Sequence, residues 1–270
     1  MMTKIGSRIK ILLIALLFLA FYADLVFLIF LICGVSQHES GASADWESDE
    51  PTADSASPET PQGKELTCRT SLEDVELILQ NPELPNGCEV TSLAMILSCT
   101  GVQADKLELF FDYLPKGELS VQRGRVYGPN PEKAYVGNAS DSTGWYCFEG
   151  PILTAGNDWL EVQNLPWQMN AVTGLKQEQL EEYLEQGAAL IVWVTLNYEA
   201  PQTGNMTWHL SNGRSYTPYY NLHCVVLTDW NGKDYQVADP LAGWQTVSPE
   251  AFWDAFDAMG RRAVTLTPKS

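Results

Sequence analysis

Pro85-Asn86-Gly87-Cys88-Glu89-Val90-Thr91-Ser92-Leu93-Ala94-Met95-Ile96-Leu97-Ser98-Cys99 joins a run of backbone breakers to an apolar helical pattern, with a cysteine at the junction. Val90, Leu93, Ala94, Ile96 and Leu97 recur at helical spacing and predict a helix from Cys88 to Cys99 with one buried stripe, stopped at Gly101. A thiol at the head of such a helix lies against free N–H groups and the positive end of the dipole, which favour the thiolate. Gly87 is expected to leave room for a substrate backbone. Glu89 reads as a first-turn carboxylate favoured by the same dipole. By itself Cys88 also fits a small core residue, the commoner use of a free cysteine, so its partners decide its role.

Downstream, helices are expected over 105–114, 150–160 and 177–186, the last closed by Gly187. Residues 115–145 carry Gly, Pro and Asn clusters and read as a long irregular insertion. The period then changes. Residues 189–196, 223–229, 235–238 and 263–266 are rich in β-branched and aromatic side chains and read as strands. Asn231-Gly232 is a hairpin signal between two of them. A last helix is expected over 248–259, with Ser248 as N-cap and Pro249 in its first turn. Helices followed by antiparallel strands give an α+β fold.

His223 opens the strand His223-Cys224-Val225-Val226-Leu227, where an imidazole projects from a rigid edge. The hairpin at Asn231-Gly232 returns the chain so that Asp239 comes back beside it, able to accept an imidazole N–H and fix the tautomer. His209 is the rival base and Asp229 the rival orienter, but Asp229 sits at the turn end of the hairpin. Gln80, ahead of the Cys88 loop, is a candidate side-chain donor to an oxyanion, together with the Cys88 backbone N–H. Trp145, Tyr146, Trp193 and Trp208 are candidate subsite residues, with core packing the better reading of Trp193.

The N-terminal part is of another character. Residues 11–35 are almost unbroken apolar residues, and a run of about 25 spans a hydrocarbon core of roughly 30 Å with tilt. Asp24 costs about 2.5–3.5 kcal/mol at a helix centre, which the many Leu, Ile, Phe and Val around it offset. Lys4, Arg8 and Lys10 precede the run, so the positive-inside rule puts residues 1–10 in the cytoplasm and the rest outside. A cleavable signal peptide has a shorter apolar core, of about 7–15 residues, so an uncleaved anchor is the better reading. Residues 36–65, rich in Ser, Pro, Asp, Glu and Ala, read as a disordered acidic linker. The expected organisation is a cytoplasmic start at 1–10, a transmembrane signal-anchor at 11–35, the linker at 36–65 and one domain at 66–270.

Composition narrows the function. The 270 residues carry a formal net charge of −18, which repels phosphate backbones and argues against nucleic-acid binding. There are three histidines, His38, His209 and His223, too few for a His-rich metal site. No zinc-ribbon, zincin or nucleotide motif occurs. No metal or organic cofactor is expected. Setting aside Cys33 and Cys88, the cysteines Cys68, Cys99, Cys147 and Cys224 allow three disulfide pairings, and the pairing stays open.

These residues also resemble a known family. Gln80-Asn81-Pro82-Glu83-Leu84-Pro85-Asn86-Gly87-Cys88-Glu89 is similar to the nucleophile motif of the C-39-like cysteine peptidases, a bacterial branch of the papain-like superfamily related to the bacteriocin-processing domains that cut after a double glycine. Tyr127-Gly128-Pro129-Asn130-Pro131, Val136-Gly137-Asn138, Gly187 to Thr195, Leu222 to Leu227 and Ala238-Asp239-Pro240-Leu241 with Gly243 are similar too. The resemblance covers about 66–270. It implies a papain-like fold, with Cys88 as nucleophile, His223 as base, Asp239 as orienter and Gln80 as oxyanion donor. A membrane-anchored extracytoplasmic peptidase acting on a peptide or protein is the expected function. A catalytically silent surface module binding peptide or wall material, and a cell-wall amidase or acyl transferase using the same Cys-His pair, are the alternatives.

Overall fold

A computed structural model describes residues 74–269. The proposed anchor and linker, and Cys33 and Cys68, lie outside the described residues. Within them, no helix is long and apolar enough to cross a membrane.

In chain order the elements are α1 (Cys88–Ser98), α2 (Lys106–Glu108, continuing as a π-turn over Leu109–Tyr113), β1 (Lys116–Gly117), β2 (Ser120–Gln122), β3 (Arg125–Tyr127), β4 (Tyr135–Val136) and α3 (Glu149–Val162). Then follow β5 (Trp167–Ala171), α4 (Gln177–Glu185), β6 (Leu190–Thr195), β7 (Trp208–His209), β8 (Ser215–Tyr216), β9 (Leu222–Trp230), β10 (Tyr235–Asp239), β11 (Gly243–Val247), α5 (Pro249–Ala258) and β12 (Ala263–Pro268).

Six strands make the main sheet in the order β11-β10-β9-β6-β12-β5, every neighbouring pair antiparallel. This is an α+β fold with an antiparallel sheet, as the strand pattern led one to expect. Helices and strands interleave, however, instead of forming two blocks. Alternation along β6 explains the layering. Ile191 and Trp193 join a core with Leu93, Ile96 and Leu97 of α1 and Ile152 and Trp159 of α3. Leu190, Val192 and Val194 join another with Leu180 and Leu184 of α4 and Phe252 and Phe256 of α5. Both faces of the sheet are therefore covered.

α1 is the central helix. Every residue from Cys88 to Leu97 is buried, Glu89, Thr91 and Ser92 included, so the single apolar stripe expected from the sequence is corrected to burial all round. Each fully buried Leu or Met here contributes roughly 1.5–3 kcal/mol. Ser92 meets the sheet by donating to the Cys224 carbonyl at 3.3 Å. α3 crosses closely at Gly156, where a Cβ would stand 2.7 Å from Met169 Cγ and 3.1 Å from Leu93 Cδ1.

The expected helix over 105–114 is only briefly α-helical. Asp105 caps it by accepting from the Leu107 and Glu108 amides, and the chain then widens into the π-turn. The stretch 115–145, expected to be irregular, holds short strands. β1 and β4 pair in parallel, and β2, β3, β7 and β8 form a small second sheet. Arg262 fixes the end of this stretch to the main sheet. Its guanidinium bonds Glu132 at 2.7 Å, bonds Glu149, and lies 3.9 Å over the Phe148 ring.

The hairpin of β9 and β10 forms as its turn residues indicate. Asn231 Oδ1 accepts the amides of Lys233 and Asp234, and Gly232 has φ +82°, a left-handed value natural for glycine. Ser248 caps α5 by accepting from the Ala251 amide.

Candidate active site

Cys88 is the first residue of α1, 8% exposed, at the wall of an open cleft of about 320 Å³. The loop before it is held on several sides. Asn86 donates from its backbone to Ala139 O and from its side chain to Asp141 O, and its own carbonyl accepts the Tyr135 hydroxyl at 2.7 Å. Gly87 meets a packing requirement of its own. A Cβ there would stand 2.7 Å from Leu84 Cβ, so packing inside the loop requires glycine.

The opposite wall comes from the sheet. His223 and Asp239 stand at the end of the β9–β10 hairpin remote from its turn, and His223 Nε2 lies 2.8 Å from Asp239 Oδ1. An ionised carboxylate only accepts, so Nε2 carries the proton and Nδ1 is left as the acceptor. Asp239 Oδ1 also accepts the amides of Leu241 and Ala242 at 2.7 and 3.1 Å. Burial alone acts to raise this carboxyl, but the bond to His223 and the two amides outweigh it, and the group sits below the usual carboxylate range.

Gln80 lines the same cleft as Cys88 and His223. Its Nε2 donates to Pro85 O at 2.6 Å, which leaves its second N–H. Its backbone is tied to the hairpin through Gln80 N to Pro240 O at 2.7 Å. Lys106 staples this segment by donating to the carbonyls of Leu79 and Gln80 and to Glu83 at 2.8 Å.

The cleft thus gathers Gln80, Cys88 and His223, with Asp239 behind His223. The rivals stand apart. His209 lies on β7 against Ser215 and the Tyr127 ring, outside the cleft lining. Asp229 pairs with Gln236 at the turn end of the hairpin. Of the candidate subsite aromatics, Trp145 and Tyr146 line the cleft. Trp193 and Trp208 are fully buried, their indoles donating to Cys147 O and Pro129 O. Tyr219, Tyr220 and Leu241 also line it, and sequence reading missed them. The signal available was their place directly before His223 and after Asp239. Trp145 and Tyr220 pack edge to face, centroids 5.5 Å apart.

Glu89 lies in the first turn of α1, as expected. It is also fully buried, which the sequence did not indicate. Its Oε1 accepts the Cys147 amide at 3.2 Å, and its Oε2 takes the hydrogen bond of the Cys88 thiol at 3.4 Å. Burial pushes the Glu89 carboxyl up to about 7. Burial first, and then the adjacent Glu89, hold the Cys88 thiol well above its ordinary value, while the Cys224 backbone N–H pulls the other way. Cys99, Cys147 and Cys224 are free and buried. Among the described residues no cluster of three or more His, Cys, Asp or Glu is gathered to hold a metal.

Residues 72–264 match the model of the Peptidase C39 like family. This chain belongs to that family. In Bacillus subtilis (strain 168) the uncharacterized protein YvpB is 28% identical over 209 residues, which span 75% of this chain and 78% of that protein. A solved structure from Bacillus anthracis, provisionally assigned as a C39-like peptidase, is 30% identical with a TM-score of 0.62. The match covers 74% of this chain and 98% of that one. Family membership carries a cysteine-peptidase fold with it.

Proposed function

We propose that this C39-like domain is a working cysteine peptidase that hydrolyses peptide bonds through a thioester at Cys88. The observation that carries the reading is the facing of two walls across one cleft: a thiol at the head of a buried helix, and an imidazole already oriented by Asp239. His223 Nδ1 takes the thiol proton as sulfur attacks the scissile carbonyl, and returns it to the leaving amine. Water, deprotonated by the same nitrogen, then cleaves the thioester. The second N–H of Gln80 and the first-turn amides of α1 supply donors for the oxyanion. No step calls for a metal or organic cofactor.

The cleft lining bears on the substrate. Trp145, Tyr146, Tyr219, Tyr220, Leu222 and Leu241 are apolar or aromatic, and among the described residues no Lys, Arg, Asp or Glu lines it, which suits a neutral, apolar stretch of peptide. The apolar run at 11–35 supports an anchored domain on the outer side of the membrane. A membrane-impermeant thiol probe on intact cells tests that placement: labelling of Cys88 supports it, and labelling only after lysis counts against it.

Replacing Cys88 by Ala tests the activity. Cys88→Ala is expected to abolish iodoacetamide-sensitive peptide hydrolysis while the circular dichroism spectrum stays that of the parent. Undiminished cleavage by this variant refutes the assignment. A surface module without activity is the second reading, favoured by the raised thiol. A Cys88 that resists iodoacetamide from pH 6 to 9 supports that reading.

A further inference from the structure

We infer that Glu89 is a third acid–base group of the site, which governs the protonation of Cys88 through direct contact with its sulfur. The inference rests on the reading of Cys88 as nucleophile. As a carboxylate, Glu89 accepts the S–H hydrogen bond and keeps the proton on sulfur. As a carboxylic acid, it donates to the thiolate and stabilises it. No bond other than S–H or O–H is made or broken, and the proton leaving sulfur goes to Glu89 or to His223.

The geometry is specific. Glu89 is 0% exposed and has two polar partners besides its own backbone: the Cys147 amide on Oε1 and the Cys88 thiol on Oε2. A buried carboxylate of this kind is normally paired with a cation or several donors. Here the groups that face it are the thiols of Cys88, Cys147 and Cys224 and the hydroxyl of Tyr135, from α1, the segment before α3, β9 and β4. None is a cation, and no described Lys, Arg or His forms a salt bridge to Glu89. The imidazole of His223 is engaged with Asp239. With two amides and no cation to hold its charge, Glu89 is poised to protonate near neutral pH, in the range where burial places it. The two groups are adjacent in sequence and share one proton position, so they titrate as a pair.

The role is distinct from that of Asp239, which bonds the imidazole. It also differs from a purely structural one. A carboxylate kept only to tie down the Cys147 segment requires Oε1 alone, whereas Oε2 is spent on the reacting sulfur.

Glu89→Gln separates the two roles. The amide is isosteric, keeps an acceptor for the Cys147 N–H and places no negative charge beside sulfur. The rate of Cys88 alkylation by iodoacetamide, followed by mass spectrometry of the Cys88 peptide from pH 5 to 9, is the readout. In Glu89→Gln the apparent thiol pKa is expected to fall by about one unit, with alkylation at pH 8 faster by ~tenfold. Superimposable profiles for parent and variant overturn the inference while leaving Cys88 as nucleophile intact. A Cys88 inert in the parent, in Glu89→Gln and in His223→Ala alike overturns the peptidase reading together with it. Should Glu89→Gln fail to fold, the unsubstituted protein decides. The infrared carbonyl band of a buried carboxylic acid should vanish with a midpoint near pH 7, and a protein showing no such step refutes the inference.

Discussion

Two carboxylates serve the two halves of the cleft, and their surroundings drive them in opposite directions. Asp239 on the sheet side accepts from the His223 ring and from two backbone amides, and its carboxyl is held below the ordinary range. Glu89 on the helix side accepts its own amide, the Cys147 amide and a thiol, and burial raises it to about 7. Both residues are largely removed from water. What separates them is the deeper burial of Glu89 and the imidazole beside Asp239, so desolvation and an adjacent base decide which buried carboxylate keeps its charge. The imidazole half is electrostatically settled before substrate arrives, and the thiol half is not.

The largest effect that tests this contrast is on the settled half. His223→Ala removes the base for both steps and is expected to lower kcat/KM by about 10²–10⁴-fold, with Cys88 alkylation slowed as well. His209→Ala, away from the cleft, should leave both unchanged. Equal losses in the two variants would mean that the imidazole half is misassigned.

Stability against pH sharpens the same contrast by sign. A carboxyl raised in the fold from 4.5 to about 7 binds a proton more tightly in the native state. The Glu89 contribution is therefore favourable at low pH, and stability declines as pH rises from 4.5 through 7. The size is about 3 kcal/mol, from 2.5 units at 1.36 kcal/mol each. Asp239 runs the other way: its contribution is present above the unfolded carboxylate pKa and is lost as pH falls through its lowered folded value. Urea denaturation of the inactive Cys88→Ala protein, with and without Glu89→Gln, reads both. The substitution should flatten the limb between pH 4.5 and 7 and leave the acid limb in place. An unchanged upper limb would show that Glu89 is not the group that titrates there.

How far the sequence reveals this arrangement differs between the halves. The sheet side was legible because its information is local: Asn231-Gly232 specifies a hairpin, and the return of the chain brings Asp239 back to His223. The helix at Cys88 was legible from its apolar spacing, but its burial on every side was not. The layer that covers Glu89 arrives through Cys147, 58 residues later in the chain. β5 and β11 escaped notice because Trp167-Gln168-Met169-Asn170-Ala171 and Gly243-Trp244-Gln245-Thr246-Val247 have few β-branched residues. The alternation of apolar and polar residues over 167–171 was nonetheless a readable strand signal. The strands between residues 115 and 145 are two or three residues long, too short to display a period. The packing constraint on Gly87 was hidden for a related reason, since it comes from the Leu84 side chain.

Gln80 belongs to neither half, and the smallest effect tests that separation. Its segment is held to the helix side by Lys106, which donates to the Leu79 and Gln80 carbonyls, and to the sheet side by the Gln80 amide on Pro240. Loss of an oxyanion donor outright costs about 10²–10³-fold in kcat. Lys106→Met keeps Gln80 and the Pro240 bond while freeing one side of the segment, so a fraction of that cost is expected, a drop in kcat of roughly fivefold. The thiol and the imidazole are untouched by the change. Cys88 alkylation and its pH profile should therefore match those of the parent while hydrolysis slows. A parallel fall in alkylation would place Lys106 in support of the nucleophile instead and would tie the Gln80 segment to the unsettled half of the site.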